Sequence, residues 1–343
     1  MHRLIVFSLI LFCILALLSC DKNVIQTRKT INYDLILLSN NIIYKNDNHN
    51  AFTSLIEYKG KKYLAFREGN SHRPSSKENY GHISIIQENK ENWVKITDLF
   101  HPDMDLRDPF FICIDDHLRL YCGYNQFVNN NYQHSGTVYS DLTETGWTEF
   151  TEINHDAPHI IWLWKIRKYN DLYYGIGYLE GEKPILLKSR DGISWSTVTE
   201  FQLEGMLTEA DLCFISDTMY VCMRQDTPLG TPSHWGIAKY PFKDFKWSKM
   251  NICVHSPELY CIPESNQIIL AGRIISDKVV SVSVFECNRL GNVRQLFDLY
   301  SNGSGDMGYP SIDKYNDEIW FSYYYGIASK TVIGLTIFKL SEL

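Results

Sequence analysis

The residues with the clearest chemical potential lie at the two ends of one predicted hairpin, residues 208–224. Its sequence, TEADLCFISDTMYVCMR, runs apolar to Ile215, turns through polar residues and returns through a second apolar run. Glu209 opens the first strand and Arg224 closes the second, and antiparallel pairing brings these two ends together. The hairpin therefore predicts that an acid and a base meet at one end.

The same layout recurs in three other stretches of the chain. Arg107-Asp108 leads into FFICIDDHLRLYCGY, Glu258 leads into LYCIPESNQIILAGR, which ends on Arg273, and Tyr309 leads into SIDKYNDEIWFSYYYG. Each stretch has polar or aromatic residues at one end and an apolar middle. If these hairpins share that end, one group of side chains meets there: Arg67, Asp108, Glu209, Arg224, Arg273 and Tyr309.

Tryptophans in polar turn-and-strand contexts recur about every 50 residues, which is the period expected of four-stranded propeller blades. They are Trp93, Trp147, Trp195 and Trp247. Strand patterns are dense and helical patterns nearly absent. We predict an all-β fold, a six-bladed β-propeller of four-stranded antiparallel blades over residues 33–343. Its blades would begin near Asn50, Leu106, Ile161, Thr208, Pro257 and Gly308, and residues 33–45 would close the ring against the C-terminal VIGLTIFKL.

Residues 1–20 are predicted to be a lipoprotein signal peptide. Arg3 precedes an apolar run from Leu4 to Leu18, and the run ends in Leu-Leu-Ser-Cys, which matches the lipobox at which bacterial lipoproteins are cut and acylated. The run is shorter than the roughly 20 apolar residues that a membrane span needs. We therefore expect Cys20 to carry a lipid anchor, residues 21–32 to form a tether, and the protein to lie in the bacterial cell envelope, either periplasmic or surface-exposed.

The composition suggests a glycan as partner more than a nucleic acid. The formal net charge is -7 and no basic stripe is visible, so nucleic acid is not expected to bind. Aromatic residues make up 14% of the chain, which suits a sugar-binding surface but also suits packing between sheets. Seven cysteines follow Cys20 without a CxxC pair, so we expect buried thiols and no zinc site. No motif requires a cofactor or a metal.

The Glu209–Arg224 hairpin, Arg273, Tyr309 and the segment SRDGISW at residues 189–195 together resemble the bacterial exo-alpha-sialidase (neuraminidase) superfamily of six-bladed propellers. SRDGISW is similar to an Asp-box shortened by one residue. Further segments resemble a sialidase-like subgroup: HNAFTSL, YLAFREG, DLRDP, WLWK and GYP.

The resemblance implies roles for individual residues. Arg224 and Arg273 match two arginines that bind the sugar carboxylate, a task suited to fixed, always charged, bidentate donors. Tyr309 matches the tyrosine nucleophile, and Glu209 matches the carboxylate that accepts the phenol proton. Trp162 and Trp164 alternate along one strand and could form a platform for sugar stacking or fill the channel.

The chain also departs from the superfamily pattern. Ala51-Phe52-Thr53 stands where the first arginine is expected, so Arg67 or Arg107 would have to replace it. Residues 70–82, NSHRPSSKENYGH, contain no Asp to serve as general acid. The acid/base candidates are therefore Glu68, His72, Glu78, His82, Asp108 and Glu258. Glu258 is also a candidate for binding the substrate. Arg67-Glu68 and Arg107-Asp108 could equally be ion pairs that brace neighbouring blades.

The sequence leaves three functions open. The first is a sialidase-like exo-glycoside hydrolase that acts on a terminal acidic sugar, a sialic or uronic acid, of a glycan. The second is a non-catalytic surface propeller that binds glycan in the same pocket. The third is a uronic-acid polysaccharide lyase that uses tyrosine and histidine. The missing Asp and first arginine favour binding or altered chemistry, whereas the Glu-Arg-Arg-Tyr set favours catalysis.

Overall fold

The computed structural model describes residues 33–342, except 75, 91, 129–130, 229, 277–278 and 303–304. The predicted signal peptide, the lipid site at Cys20 and the tether lie outside the described residues. Within those residues, no helix is long and apolar enough to cross a membrane.

The described chain is built almost entirely of β-strands, with one turn of 3₁₀ helix (Lys77–Asn79). The first strand is β1 (Tyr33–Tyr44), and blade 1 follows with β2 (His49–Tyr58), β3 (Lys61–Gly69), β4 (His82–Asn89) and β5 (Asn92–Leu99). Blade 2 contains β6 (Asp105–Ile114), β7 (His117–Val128), β8 (Asn131–Thr143), β9 (Gly146–Trp147) and β10 (Thr151–Glu152). Blade 3 contains β11 (Asn154–His155), β12 (Trp162–Tyr169), β13 (Leu172–Tyr178), β14 (Ile185–Ser189) and β15 (Ser194–Glu200).

The second half of the chain repeats the same unit. Blade 4 contains β16 (Leu207–Ile215), β17 (Thr218–Gln225), β18 (His234–Lys239) and β19 (Lys246–Lys249). Blade 5 contains β20 (His255–Ile262), β21 (Gln267–Ile275), β22 (Val280–Cys287) and β23 (Val293–Asn302). Blade 6 contains β24 (Met307–Tyr315), β25 (Glu318–Ile327) and β26 (Lys330–Glu342), with β1 as its outer strand.

These sheets confirm the predicted six-bladed propeller of four-stranded antiparallel blades. Blades 2 and 3 each carry short additional strands, β9 and β11. The four tryptophans used to find the repeat lie on β5, β9, β15 and β19, each in the outer part of its blade. The predicted closing strand is also confirmed, because β1 pairs with β26 from Tyr33 opposite Glu342 to Tyr44 opposite Ile333.

The hydrophobic core is divided into six clusters, and each cluster lies between two neighbouring blades. Blades 1 and 6, for example, pack Phe66 and Ile86 against Trp320 and Ile333. The inner strands are buried on both faces, as β2 and β16 show, because each blade packs between two neighbouring blades. The ring of clusters holds the blades around the axis. The seven cysteines in the described residues are all free thiols. Four of them are buried, as expected, whereas Cys113, Cys253 and Cys261 are partly exposed.

The turn at residues 189–195 is held by side chains of its own sequence. Asp191 accepts hydrogen bonds from the backbone N–H groups of Ile193 and Ser194, both at 2.8 Å. The Trp195 indole N–H donates to the Gly192 carbonyl at 3.0 Å, and the indole is buried in the core between blades 2 and 3. This segment therefore closes a hairpin and anchors it, and its assignment as a shortened Asp-box stays a prediction.

Candidate active site

The innermost strand of every blade has a β-bulge at the same position. In each, two residues of the inner strand lie opposite one residue of the second strand, which re-aims the bulged side chains. The bulged pairs are Phe52-Thr53, Asp108-Pro109, Trp164-Lys165, Thr208-Glu209, Ser256-Pro257 and Tyr309-Pro310. This repeated irregularity surrounds the axis with polar and aromatic side chains.

Four of these bulges place a non-glycine residue at positive φ. Phe52 has a φ of 62°, Asp108 of 46°, Ser256 of 47° and Tyr309 of 50°. This left-handed conformation is uncommon for a side-chain-bearing residue and costs free energy unless the surroundings hold it. Packing between blades fixes these residues with their side chains directed by the bulge.

Tyr309 and Glu209 form the central pair of the site. The Tyr309 hydroxyl donates to Glu209 Oε1 at 2.6 Å, and the second carboxylate oxygen accepts from the Ser256 backbone N–H at 2.7 Å. The Ser256 hydroxyl in turn accepts from the Tyr309 backbone N–H at 3.0 Å. Blades 4, 5 and 6 are thus tied together around one phenol, which is partly exposed to the cleft above it.

The two groups of this pair have pKa values displaced in opposite directions. Burial raises the pKa of Tyr309 well above its usual 10, and the Glu209 carboxylate raises it further. Burial alone would raise the pKa of Glu209, but Arg224, the Tyr309 hydrogen bond and Arg273 lower it to about 2. At neutral pH the pair is therefore a neutral phenol that donates to an ionised carboxylate.

Three arginines line the cleft above Tyr309. Arg224 Nη1 lies 2.6 Å from Glu209 Oε2, and its Nε lies 2.5 Å from Asp226 Oδ1. Arg273 Nη1 donates to the carbonyls of Met307 and Gly305, and its Cζ lies 5.9 Å from the Tyr309 ring centroid.

Among the described residues, no carboxylate forms an ion pair with Arg273. The charge of this guanidinium is therefore available to an anionic ligand in the cleft.

Arg107, and not Arg67, reaches the cleft from the first two blades. Arg107 donates to the His72 carbonyl at 2.8 Å, and its guanidinium lies 4.7 Å from the Phe52 ring centroid. Arg67 is fully buried and donates twice to Asp105 Oδ1, at 3.2 and 2.7 Å. Arg67 is therefore a structural residue in the wall of the site, and Arg107 occupies the position from which a third arginine can contact a ligand.

The cleft has a volume of about 1090 Å³ and opens above the bulged residues. Trp162 lies in its wall and stacks on Tyr178, with ring centroids 6.4 Å apart and an interplanar angle of 19°. Trp164 does not line the cleft and borders a smaller cavity beneath Tyr309. Of the two tryptophans predicted as a platform, only Trp162 faces the open cleft.

Two carboxylates predicted for the site lie elsewhere. Glu68 is buried and accepts hydrogen bonds from Asn46, Asn48, Ser84 and Lys95. Burial alone would raise its pKa, but the hydrogen bonds from Lys95, Asn48 and Ser84 lower it to about 2. Such a carboxylate has no proton to give and no access to the cleft.

Glu258 belongs to a buried network of charges. Its carboxylate lies 2.8 Å from Lys165 Nζ and 3.0 Å from Arg167, which also contacts Asp211 at 2.5 Å. It does not line the cleft.

Asp108 faces the cleft, and its carboxyl group has a raised pKa. Burial raises its pKa to about 7, with Arg107 opposing the shift and the Glu209 carboxylate adding to it. Among the described residues, its buried Oδ1 has no hydrogen-bond partner. Asp108 therefore keeps its proton to a higher pH than an ordinary carboxyl group does, which suits it to hydrogen-bond a ligand.

Two histidines of blade 1 contact a carboxylate that lies far from them in the sequence, at the edge of the cleft. His72 Nδ1 lies 3.3 Å from Asp306 Oδ1, and His49 Nε2 lies 2.9 Å from Asp306 Oδ2. Sequence reasoning considered His72 but missed His49, Asp306 and Asp226, because no local motif marks them.

His49, His72 and Asp306 are close enough to one another to hold a metal ion, as are Glu68, His82 and Asp98. However, the buried His49 Nδ1 has no hydrogen-bond partner in the described part of the chain, whereas a metal-bound histidine almost always donates a hydrogen bond from its second ring nitrogen. The direct contacts to Asp306 are those of a hydrogen-bonded triad.

Several solved structures with a similar fold are sialidases. The phage phi92 endosialidase superposes with a TM-score of 0.67 at 10% identity, covering 91% of this chain and 70% of its own. The NanB sialidase from Streptococcus pneumoniae gives 0.64 at 9% identity, with 88% and 70% covered. Trypanosoma rangeli sialidase in complex with the inhibitor DANA gives 0.62 at 9% identity, with 90% and 59% covered.

The chain has the sialidase fold. At these identities the likeness shows the fold alone, and the chain spans only 59% of the Trypanosoma rangeli enzyme. The sequence matches no protein-family model and no curated protein. Function must therefore be argued from the site that this sialidase fold carries.

Proposed function

We propose that this protein is a sialidase-like exo-glycoside hydrolase that removes a terminal acidic sugar, a sialic or uronic acid, from a glycan. The observation that carries the proposal is the 2.6 Å hydrogen bond from Tyr309 to an ionised Glu209 at the floor of a cleft lined by three arginines. A nucleophile paired with a base and facing a ligand site is the arrangement that covalent catalysis needs.

In this proposal Tyr309 attacks the anomeric carbon while Glu209 accepts the phenol proton. The large difference in pKa between the two groups keeps the proton on Tyr309 in the resting site. As the new C–O bond forms, the phenol oxygen gains positive charge and its proton becomes acidic, so transfer to Glu209 turns favourable. A neutral nucleophile also avoids repulsion with an anionic sugar. Trypanosoma rangeli sialidase with 2,3-difluorosialic acid is described as a covalent intermediate.

The preference for an acidic sugar is supported by the charge of the cleft. Arg224 is paired with Glu209 and Asp226, and Arg107 contacts Asp105 Oδ2 at 3.4 Å. Arg273 contacts backbone carbonyls and has no carboxylate partner among the described residues. A sugar carboxylate placed between these guanidinium groups would form charge-assisted hydrogen bonds. A neutral sugar would leave Arg273 without an anion, since it has no carboxylate partner in the part of the chain that the structure describes.

The test is product release by the purified protein from a panel of sialylated and uronic-acid-terminated oligosaccharides, read by mass spectrometry. The proposal predicts free acidic sugar. It also predicts that Tyr309 is labelled by a glycosyl fluoride of that sugar that carries a second fluorine on the carbon next to the anomeric carbon. Peptide mapping would locate the label. A product lighter by one water would instead indicate a lyase, and binding without any product would indicate a glycan-capture propeller. Either outcome would contradict the hydrolase.

We also propose that the propeller is attached to a membrane of the cell envelope through a lipid on Cys20. The lipobox that ends at Cys20 supports this. Replacing Cys20→Ser should move the protein from the membrane fraction to the soluble fraction, or leave its precursor uncut. Cys13→Ser, which changes a cysteine inside the apolar run, is the matched control. Unchanged membrane association and normal cutting of Cys20→Ser would contradict the anchor.

A further inference from the structure

His72 is held at the edge of the cleft by a carboxylate that fixes its tautomer. Burial alone would raise the pKa of Asp306, but the hydrogen bonds from His49 and His72 hold it far below its usual range. Asp306 is therefore ionised and can only accept hydrogen bonds. Because its Oδ1 faces His72 Nδ1 at 3.3 Å, this nitrogen carries the proton in neutral His72. The nitrogen that can gain and lose a proton is Nε2.

The position of His72 suits proton transfer at a bound sugar. Its side chain is 37% exposed and lines the cleft together with Tyr309. One phenyl ring, that of Phe52, contacts both groups, with centroids 5.4 Å from His72 and 4.5 Å from Tyr309. Arg107 holds the His72 carbonyl at 2.8 Å. The imidazole is thus fixed near the nucleophile and still reaches the cleft.

We propose that His72 is the catalytic acid and base of this site and that Asp306 is its positioning residue. The proposal rests on the hydrolase function above. In the first step, protonated His72 gives its Nε2 proton to the glycosidic oxygen as the bond to the anomeric carbon breaks and Tyr309 forms its own bond there. In the second step, neutral His72 takes a proton from the attacking water, and the Tyr309–sugar bond breaks. Glu209 returns its proton to Tyr309, which restores the site.

The other candidates fit the role less well. Glu68 is buried away from the cleft and ionised, and Glu78 lies on the exposed 3₁₀ turn. His82 contacts Asp98 and stacks on Phe100, and it does not line the cleft. Asp108 is the strongest alternative, since it faces the cleft and its pKa is raised to about 7. It lies on the bulge of blade 2 and lines the same small cavity as Tyr309.

The charged groups around His72 predict a pH dependence. Burial lowers its pKa, Arg107 and His49 add to this, and Asp306 opposes it. Most His72 is therefore neutral at pH 7, and the acid form grows as the pH falls. kcat/KM for a natural linkage should decrease as pH rises through the His72 pKa. Asp306→Asn removes the group that raises this pKa, so the decreasing limb should move to lower pH.

The experiment compares two substrates of one acidic sugar, a natural sugar-linked glycan and a p-nitrophenyl glycoside. A p-nitrophenol leaving group needs no protonation, so only the natural linkage depends on an acid. For His72→Ala we expect kcat/KM to decrease by about 10²–10⁴-fold on the natural linkage and by less than about 10-fold on the aryl glycoside. Azide should restore kcat on the aryl glycoside and yield a glycosyl azide. His117→Ala, at an exposed position at the start of β7, is the control and should match the wild type.

Several outcomes would overturn the assignment. Equal losses on both substrates would show that His72 only supports binding or folding. If Asp108→Asn, and not His72→Ala, lost activity on the natural linkage but kept it on the aryl glycoside, the acid would be Asp108. Inactivation by EDTA that Zn²⁺ reverses would assign the histidines to a metal. If ¹⁵N NMR spectra showed neutral His72 with its proton on Nε2, Asp306 would not be fixing the proton on Nδ1. A wild-type protein that cleaves neither substrate would contradict the hydrolase itself, and the assignment with it.

Discussion

At the scale of single residues, the Tyr309–Glu209 pair concentrates the chemistry in one hydroxyl group. Glu209 keeps hydrogen bonds to Arg224 and to the Ser256 backbone whether or not the phenol is present. Removing the hydroxyl should therefore disturb the site little while deleting the nucleophile. Removing the single hydroxyl oxygen of Tyr309 therefore tests the reactivity of the pair without changing the structure around it.

Tyr309→Phe should lower kcat by roughly 10⁴-fold or more, as loss of a nucleophile does in other covalent enzymes. Binding of the acidic sugar, measured by calorimetry, should remain within a few-fold of wild type because the arginines are unchanged. Tyr240→Phe provides a matched control, since Tyr240 is 59% exposed and remote from the cleft lining. Full turnover by Tyr309→Phe would show that Tyr309 is not the nucleophile.

Arg273 and Arg67 should respond in opposite ways to truncation. Arg273→Ala should weaken binding of the acidic sugar by about 2 kcal/mol, or about 30-fold, and leave the melting temperature nearly unchanged. Arg67→Ala should cost about 3–5 kcal/mol of stability, because it leaves Asp105 buried without its main partner. Thermal melts and calorimetry separate the two effects. If the Arg273→Ala protein were unstable but bound the acidic sugar with unaltered affinity, Arg273 would be a structural residue and not a binding residue.

The sequence predicts the charged residues of the site better than their partners. Glu209, Arg224, Arg273 and Tyr309 follow from strand ends and from the superfamily resemblance, and the structure brings them to one cleft. The contact between His72 and Asp306 spans 234 positions along the chain. No local pattern encodes such a pair, because it depends on how blades 1 and 6 meet.

At the scale of elements, the bulges explain why strand periodicity alone could not orient the site. Alternation along β6, β20 and β24 would place successive side chains on opposite faces, and one extra residue shifts that register. A signal was present in the sequence, since Pro109, Pro257 and Pro310 occupy the second bulged position in three blades. Proline cannot donate to a strand ladder and is confined within sheets to edges, strand starts and bulges.

Gly123 on β7 makes room for the cleft wall of the next blade. A Cβ atom at this position would lie 1.9 Å from the Trp162 side chain. Gly123→Ala should therefore displace Trp162, cost about 1–3 kcal/mol of stability and weaken glycan binding. Near-ultraviolet circular dichroism and thermal melts would report both effects.

Gly305→Ala is the stability control, because a Cβ atom there would meet open space and the backbone φ is not positive. A Gly123→Ala protein as stable as Gly305→Ala, with the Trp162 signal unchanged, would show that blades 2 and 3 are free to separate.

At the scale of the whole molecule, the ring depends on a strand from the start of the described chain. β1 pairs with β26 along its length, and Tyr44 also contacts Glu68 of blade 1 at 3.2 Å. The Tyr323 hydroxyl donates to Asn40 at 3.1 Å. The sequence pattern predicted this closure because both terminal segments read as apolar strands, whereas the six bulges and the interblade contacts arise only once the ring is formed.

Loss of β1 should therefore open the ring where Tyr309 meets Phe52, which lie 4.5 Å apart between ring centroids on blades 6 and 1. A chain that starts at residue 45 should melt at a lower temperature, associate through the exposed edge of β26 and lose turnover. A chain that starts at residue 33 retains every strand described and should match the protein from residue 21. Size-exclusion chromatography with thermal melts distinguishes them. A monomeric chain from residue 45 with unchanged melting temperature and turnover would show that the interblade clusters close the ring without this strand.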